Sequence, residues 1–72
     1  ICHGPWLLIS AGLVQGRRAT GSLGIKDDLE NAGAVWVDES AFIDGQLVWG
    51  RVVADIPNFC GALVARLREY TK

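Results

Sequence analysis

The sequence predicts an α/β fold, the closing portion of a layered sandwich. Three observations carry that expectation. Helical and short extended segments alternate along the chain, as they do where helices cover a sheet. The first helical stretch is apolar on every side, which suits an element buried on more than one face. Late in the chain two apolar segments flank Asp44-Gly45, a strong short-range signal for a two-residue hairpin turn.

The chain opens on Ile1-Cys2-His3-Gly4-Pro5-Trp6. An apolar residue, a cysteine, a glycine two positions on and a proline opening an apolar helix have the spacing of a nucleophile elbow. In such a turn Cys2 sits at the apex on a strained backbone, and Gly4 is small enough for close approach of strand and helix. Pro5 suits the first helical position, where its missing N–H has no intrahelical partner. The N–H groups of the following turn direct partial positive charge at the sulfur, which favours a reactive thiolate.

A helix is expected from Pro5 to Gln15, stopped by Gly16, with Arg17-Arg18 as a solvated charge pair at its end. Ala19 to Gly24 reads as a brief strand and a loop. Ile25 to Asn31 reads as a short helix ended by Gly33, its early Asp27, Asp28 and Glu30 explained by the helix dipole rather than by a metal site. Ala34 to Asp38 reads as a strand, and the hairpin follows. Asp55 reads as the N-cap of a closing helix that runs to about Tyr70, with Pro57 tolerated in its first turn. Ile56, Phe59, Cys60, Leu63, Val64 and Leu67 form its apolar face, and Cys60 is expected to be a small buried core residue.

Composition excludes several functions. Seven basic and eight acidic residues give a net charge of −1, without the clustered basic excess that nucleic acid requires. The run from Trp6 to Val14 is far shorter than the roughly 20 residues of a bilayer span, and no basic region precedes it. Two cysteines 58 positions apart make neither a disulfide framework nor a paired-cysteine metal motif, so reduced thiols in the cytoplasm are expected. Neither metal nor cofactor is implied. Half of the 72 residues are hydrophobic and none is methionine. That is more apolar surface than one small layer hides. The expectation is therefore a partial domain over residues 1–72, lacking N-terminal strands and helices that a companion chain or a longer parent would carry.

Cys2 and His3 are the candidate catalytic residues, with His3 and Gly4 as the elbow's oxyanion donors. A cysteine nucleophile needs a base, an oxyanion site and a group to orient the base. His3 is open between proton shuttle and structural hydrogen-bonder, because neighbours on a sharp turn usually diverge. No carboxylate partner is evident nearby.

Ile1-Cys2-His3-Gly4-Pro5, Leu8-Ile9-Ser10-Ala11-Gly12 and Gly16-Arg17-Arg18 resemble the DJ-1/PfpI superfamily, in particular its PfpI branch. The resemblance continues through Gly24-Ile25-Lys26-Asp27-Asp28-Leu29, Asn31-Ala32-Gly33, Trp36-Val37-Asp38, Asp44-Gly45 and Asp55-Ile56-Pro57-Asn58-Phe59. It implies the C-terminal part of a flavodoxin-like, class I glutamine amidotransferase-like three-layer sandwich. Cys2 matches the family's nucleophile and His3 the histidine beside it. The family implies a cofactor-free cysteine-dependent peptidase, deglycase or glyoxalase, acting on peptide bonds or on glycated and dicarbonyl-modified substrates, usually as an oligomer. Two alternatives stay open: a redox-sensing or chaperone-like stress protein that uses the same cysteine, and a 72-residue piece without activity of its own because half its site is missing. A glutamate contacting the thiol and a second oxyanion donor are implied from a preceding segment. Two stretches depart from the family pattern: Gly21-Ser22-Leu23 stands where Ser-Tyr-Pro is frequent, and Trp49-Gly50-Arg51-Val52-Val53 replaces a more polar run.

Overall fold

The computed structural model describes residues 1–70. The elements are α1 (Pro5–Ser10), β1 (Arg18–Ala19), α2 (Lys26–Asn31), β2 (Val35–Trp36), β3 (Ala41–Asp44), β4 (Leu47–Gly50) and α3 (Ile56–Tyr70). Single 3₁₀ turns at Leu23–Ile25 and Val53–Asp55 lead into α2 and α3. β1, α2 and β2 form a crossover unit: β1 and β2 pair in parallel, with Arg18 opposite Val35 and Ala19 opposite Trp36. β3 and β4 pair antiparallel, from Ala41 opposite Gly50 to Asp44 opposite Leu47.

The first helix ends five residues earlier than its apolar run suggests. Gly12 takes φ +71°, the Gly12 N–H donates to the Ile9 carbonyl, and the Leu13 N–H donates to the Leu8 carbonyl. This is a Schellman stop, open to glycine because the left-handed region costs it no Cβ clash. Periodicity alone looked past Gly12 to Gly16. The chain beyond Gly12 swings Val14 into the core while Leu7 and Leu13 remain exposed, so α1 is not covered on every side. α2 ends as expected at Gly33, through the same pair of bonds from Gly33 to Glu30 and from Ala34 to Leu29.

The hairpin exists, but its turn residues are Gly45-Gln46 rather than Asp44-Gly45. Gly45 has φ +63°, which suits glycine at the first central position of a type II′ turn. Asp44 is thereby the last paired strand residue, and its carboxylate accepts from the Arg18 N–H at 2.9 Å. The Arg18 guanidinium donates to the Ile43 carbonyl at 3.0 Å and lies 5.1 Å from the Phe42 ring centroid. Arg18 is therefore an exposed tie between the two sheets rather than a helix-end charge.

The core is formed by Val14, Ala19, Ile25, Leu29, Phe42 and Trp49, with Leu8, Ile9, Ala32, Ala34, Trp36, Val37 and Leu47 around it. Trp49 is fully buried and stacks on Phe42 with ring centroids 6.3 Å apart. Its indole N–H is buried without a hydrogen-bond partner among the described residues.

α3 corrects the sequence reading most. It lies on β3 and β4 through half-buried Phe59, Ala62 and Arg66, spaced three and four residues apart. Leu63, Val64 and Leu67 are exposed, and so is Cys60, which is not a core residue in this chain. A two-stranded hairpin is narrow, so it covers only one stripe of a fifteen-residue helix. The Arg66 guanidinium reaches the Gly45 carbonyl at 3.2 Å. Nor does Asp55 cap α3; it closes the preceding 3₁₀ turn and its carboxylate is bonded to Arg51.

Candidate active site

Cys2 is the single non-glycine residue with positive φ among the described residues, at +58°. A cysteine in that region stores on the order of 1–3 kcal/mol, which surrounding contacts must hold. Both of its peptide groups are clamped. The Cys2 N–H donates to the Arg51 carbonyl at 2.9 Å, and the Cys2 carbonyl accepts from the Ser22 N–H at 2.9 Å. The second clamp depends on Gly21, where a Cβ would lie 2.8 Å from the Cys2 carbonyl oxygen. The Gly21-Ser22-Leu23 departure thus lies directly against the elbow. In the other departure, Trp49 joins the core, Gly50 packs closely against Phe59 and Ile1, and Val52 and Val53 stay exposed.

The elbow brings Cys2 and His3 together. Cys2 Sγ lies 3.3 Å from His3 Nδ1, so these sequence neighbours do not diverge. The direction of proton donation follows the tautomer: with Nε2 protonated, the thiol donates to Nδ1. Cys2 is half-buried and His3 exposed. Gly4 plays a turn role: its N–H donates to the Ile1 carbonyl at 3.0 Å and is engaged there. A Cβ at Gly4 would stand 3.0 Å from that same carbonyl oxygen.

Two supports were not foreseen from the sequence. The His3 ring meets Trp6 edge to face, centroids 5.0 Å apart, and the Trp6 indole N–H donates to Asp28 Oδ2 at 2.8 Å. Asp28 thereby joins α2 to α1 instead of contributing to an acidic cluster, and Glu30 pairs with Lys26 at 3.1 Å. The three-residue step from His3 to Trp6 at a helix start was the available signal. The second support is Arg51. Its Nε donates to Asp55 Oδ2 at 2.7 Å, its Nη2 to Asp55 Oδ1 at 3.1 Å and its Nη1 to Asp38 Oδ1 at 2.9 Å. Those bonds hold the buried Asp55 carboxyl below the usual carboxylate range, against burial, which pushes it up. They also raise the Arg51 guanidinium above its already high value. Opposite charges four residues apart were visible in the sequence, but they span a strand end and a turn, where helix spacing rules do not apply.

Among the described residues no group of three or more His, Cys, Asp or Glu could hold a metal ion. No helix there is long and apolar enough to cross a membrane. One cleft of about 420 Å³ lies between α1 and α2, and another of about 250 Å³ is bordered by Gly21, Trp36 and Arg51.

Comparison with known proteins bears on the family and the fold. Residues 1–66 match the model of the DJ-1/PfpI family. A deglycase of Pyrococcus horikoshii is 50% identical over 72 residues, all of this chain and 39% of that protein. Deglycase PfpI of Pyrococcus furiosus is 44% identical over the same share of each. An uncharacterized protein of Archaeoglobus fulgidus is 50% identical over 70 residues, 97% of this chain and 42% of that one. The chain thus spans about two-fifths of the length of these relatives. A solved two-domain protein of Anabaena variabilis, with DJ-1/ThiJ/PfpI-like and ferritin-like domains, superposes with a TM-score of 0.88 at 42% identity. That superposition covers 92% of this chain and 20% of the other. With the family match extending over nearly its whole length, the chain belongs to the DJ-1/PfpI family.

Proposed function

We propose that this chain carries the nucleophilic part of a cysteine-dependent deglycase or hydrolase that acts on the carbonyl carbon of dicarbonyls, glycated groups or peptide bonds. The observation that carries the reading is Cys2 at φ +58° with Sγ 3.3 Å from His3 Nδ1. A strained, half-exposed cysteine beside an imidazole is a nucleophile beside its base. His3 Nδ1 takes the thiol proton as Sγ forms a bond to the carbonyl carbon. The C=O π pair moves to oxygen, and His3 returns the proton there, giving a hemithioacetal from an aldehyde or a tetrahedral adduct from an amide. With the Gly4 N–H engaged by Ile1, the His3 N–H is the elbow's donor to that oxygen. A second donor and a carboxylate that holds the thiol would come from outside these 72 residues, from a longer parent or a companion chain.

The relatives named deglycases support methylglyoxal as the first substrate to try. Cys2→Ser is expected to lower its consumption by about a hundredfold or more, because alcohol replaces thiol as nucleophile. Unchanged consumption by Cys2→Ser would remove the cysteine from the mechanism. Stoichiometric oxidation of Cys2 by peroxide without any dicarbonyl turnover would instead favour the redox-sensing alternative.

A further inference from the structure

We propose that Asp55, acting through Arg51, is a positioning residue for the Cys2 nucleophile, a proposal that rests on the reading of Cys2 given above. The elbow's positive φ is held by two hydrogen bonds, and one of them ends on the Arg51 carbonyl. That carbonyl belongs to the residue whose main-chain N–H donates to Asp55 Oδ2 at 3.1 Å. The same carboxylate takes the fork of the Arg51 guanidinium, at 2.7 Å from Nε and 3.1 Å from Nη2. One buried group therefore fixes both the backbone and the side chain of Arg51, and with them the direction of the carbonyl that clamps Cys2.

The remaining arm gives little purchase. Asp38 meets Nη1 from an exposed position with 75% of its side-chain surface in solvent, where an ion pair contributes weakly. On the open side Arg51 borders the 250 Å³ cleft, so a guanidinium released by Asp55 has room to swing away. Loss of the Asp55 carboxylate should let the elbow relax from its strained geometry and carry the sulfur away from His3.

The test uses the two cysteines of the chain against each other. Iodoacetamide labelling of Cys2 is measured at neutral pH relative to exposed Cys60 in the same molecule, with far-UV circular dichroism reporting the fold. In Asp55→Asn, relative labelling of Cys2 is expected to fall about threefold and kcat for methylglyoxal about tenfold, with KM within about twofold, as misplacement of a reacting group predicts. A merely structural role predicts the opposite sign, because general loosening exposes a half-buried thiol and speeds its labelling. Unchanged or faster labelling in folded Asp55→Asn overturns the proposal. Arg51→Lys keeps the charge without the fork and is expected to give an intermediate fall. Should Asp55→Asn not fold, Arg51→Lys decides by the same criterion. Absence of methylglyoxal turnover by the parent chain would count against the deglycase reading alone, since the labelling ratio still decides the role of Asp55.

Discussion

Substitution of Trp49 separates two contributions that one buried ring makes. Trp49 is 0% exposed, stacks on Phe42, and has an indole N–H with no partner among the described residues. Trp49→Ala removes the whole ring from the core and is expected to cost about 3–5 kcal/mol. Against a total stability of roughly 4–11 kcal/mol for a chain of this length, that is much of the margin. Trp49→Phe should behave differently. The smaller ring leaves roughly 40 Å³ unfilled, worth about 1 kcal/mol at ~24 cal/mol per Å³. It also removes a buried, unbonded N–H whose desolvation costs about 1–3 kcal/mol. These terms oppose each other, so Trp49→Phe is expected within about 1 kcal/mol of the parent. Urea titration followed by far-UV circular dichroism measures both variants. With a slope near 1 kcal/mol/M, the alanine variant should lose about 3 M or more in midpoint and the phenylalanine variant about 1 M at most. A Phe variant as damaged as the Ala variant would show that the indole N–H is bonded in solution, and this account of Trp49 would fail.

Two further outcomes follow from the elbow and its support. Cys2→Gly removes the Cβ that makes φ +58° costly, so it should gain up to about 1 kcal/mol in the same titration while losing nucleophilic activity; a loss of stability would mean that the elbow is unstrained. The Asp55 carboxyl is held below its ordinary value, chiefly by hydrogen bonds from Arg51, so it binds a proton less readily folded than unfolded. The stability it contributes is complete above its unfolded value of about 4 and is lost as pH falls through the lower folded value. The parent's urea midpoint should decline over that acid window, and Asp55→Asn should show a shallower decline; parallel curves would place the acid sensitivity elsewhere.

Much of the site was legible because its instructions are local. The step from Cys2 to Gly4 and Pro5 specifies a turn followed by a helix, and φ +58° at Cys2 is the strained apex that spacing implies. Gly33 ended α2 as read, because a helix stop needs only its own last turn. Gly12 could have been read the same way, but the apolar run around it masked the signal. The hairpin's existence was legible, while its one-residue shift was not. Whether Asp44 sits in the turn or pairs in the strand is influenced by Arg18, 26 residues away.

The sequence by itself determined the alternation of helices and strands, the elbow, and the candidate pair Cys2 and His3, since each follows from residues within about one helical turn of one another. Only the tertiary structure decided that His3 turns back onto the sulfur, because Trp6 and Asp28 set the ring's surroundings from two helices. It also decided that Asp55 holds Arg51 instead of capping α3, and that Phe59, Ala62 and Arg66 meet the hairpin while Cys60 and Leu63 face outward. Helical periodicity identifies which residues share a face. Which face is covered depends on the width and position of the sheet that the helix meets, and that information is distributed over the whole chain.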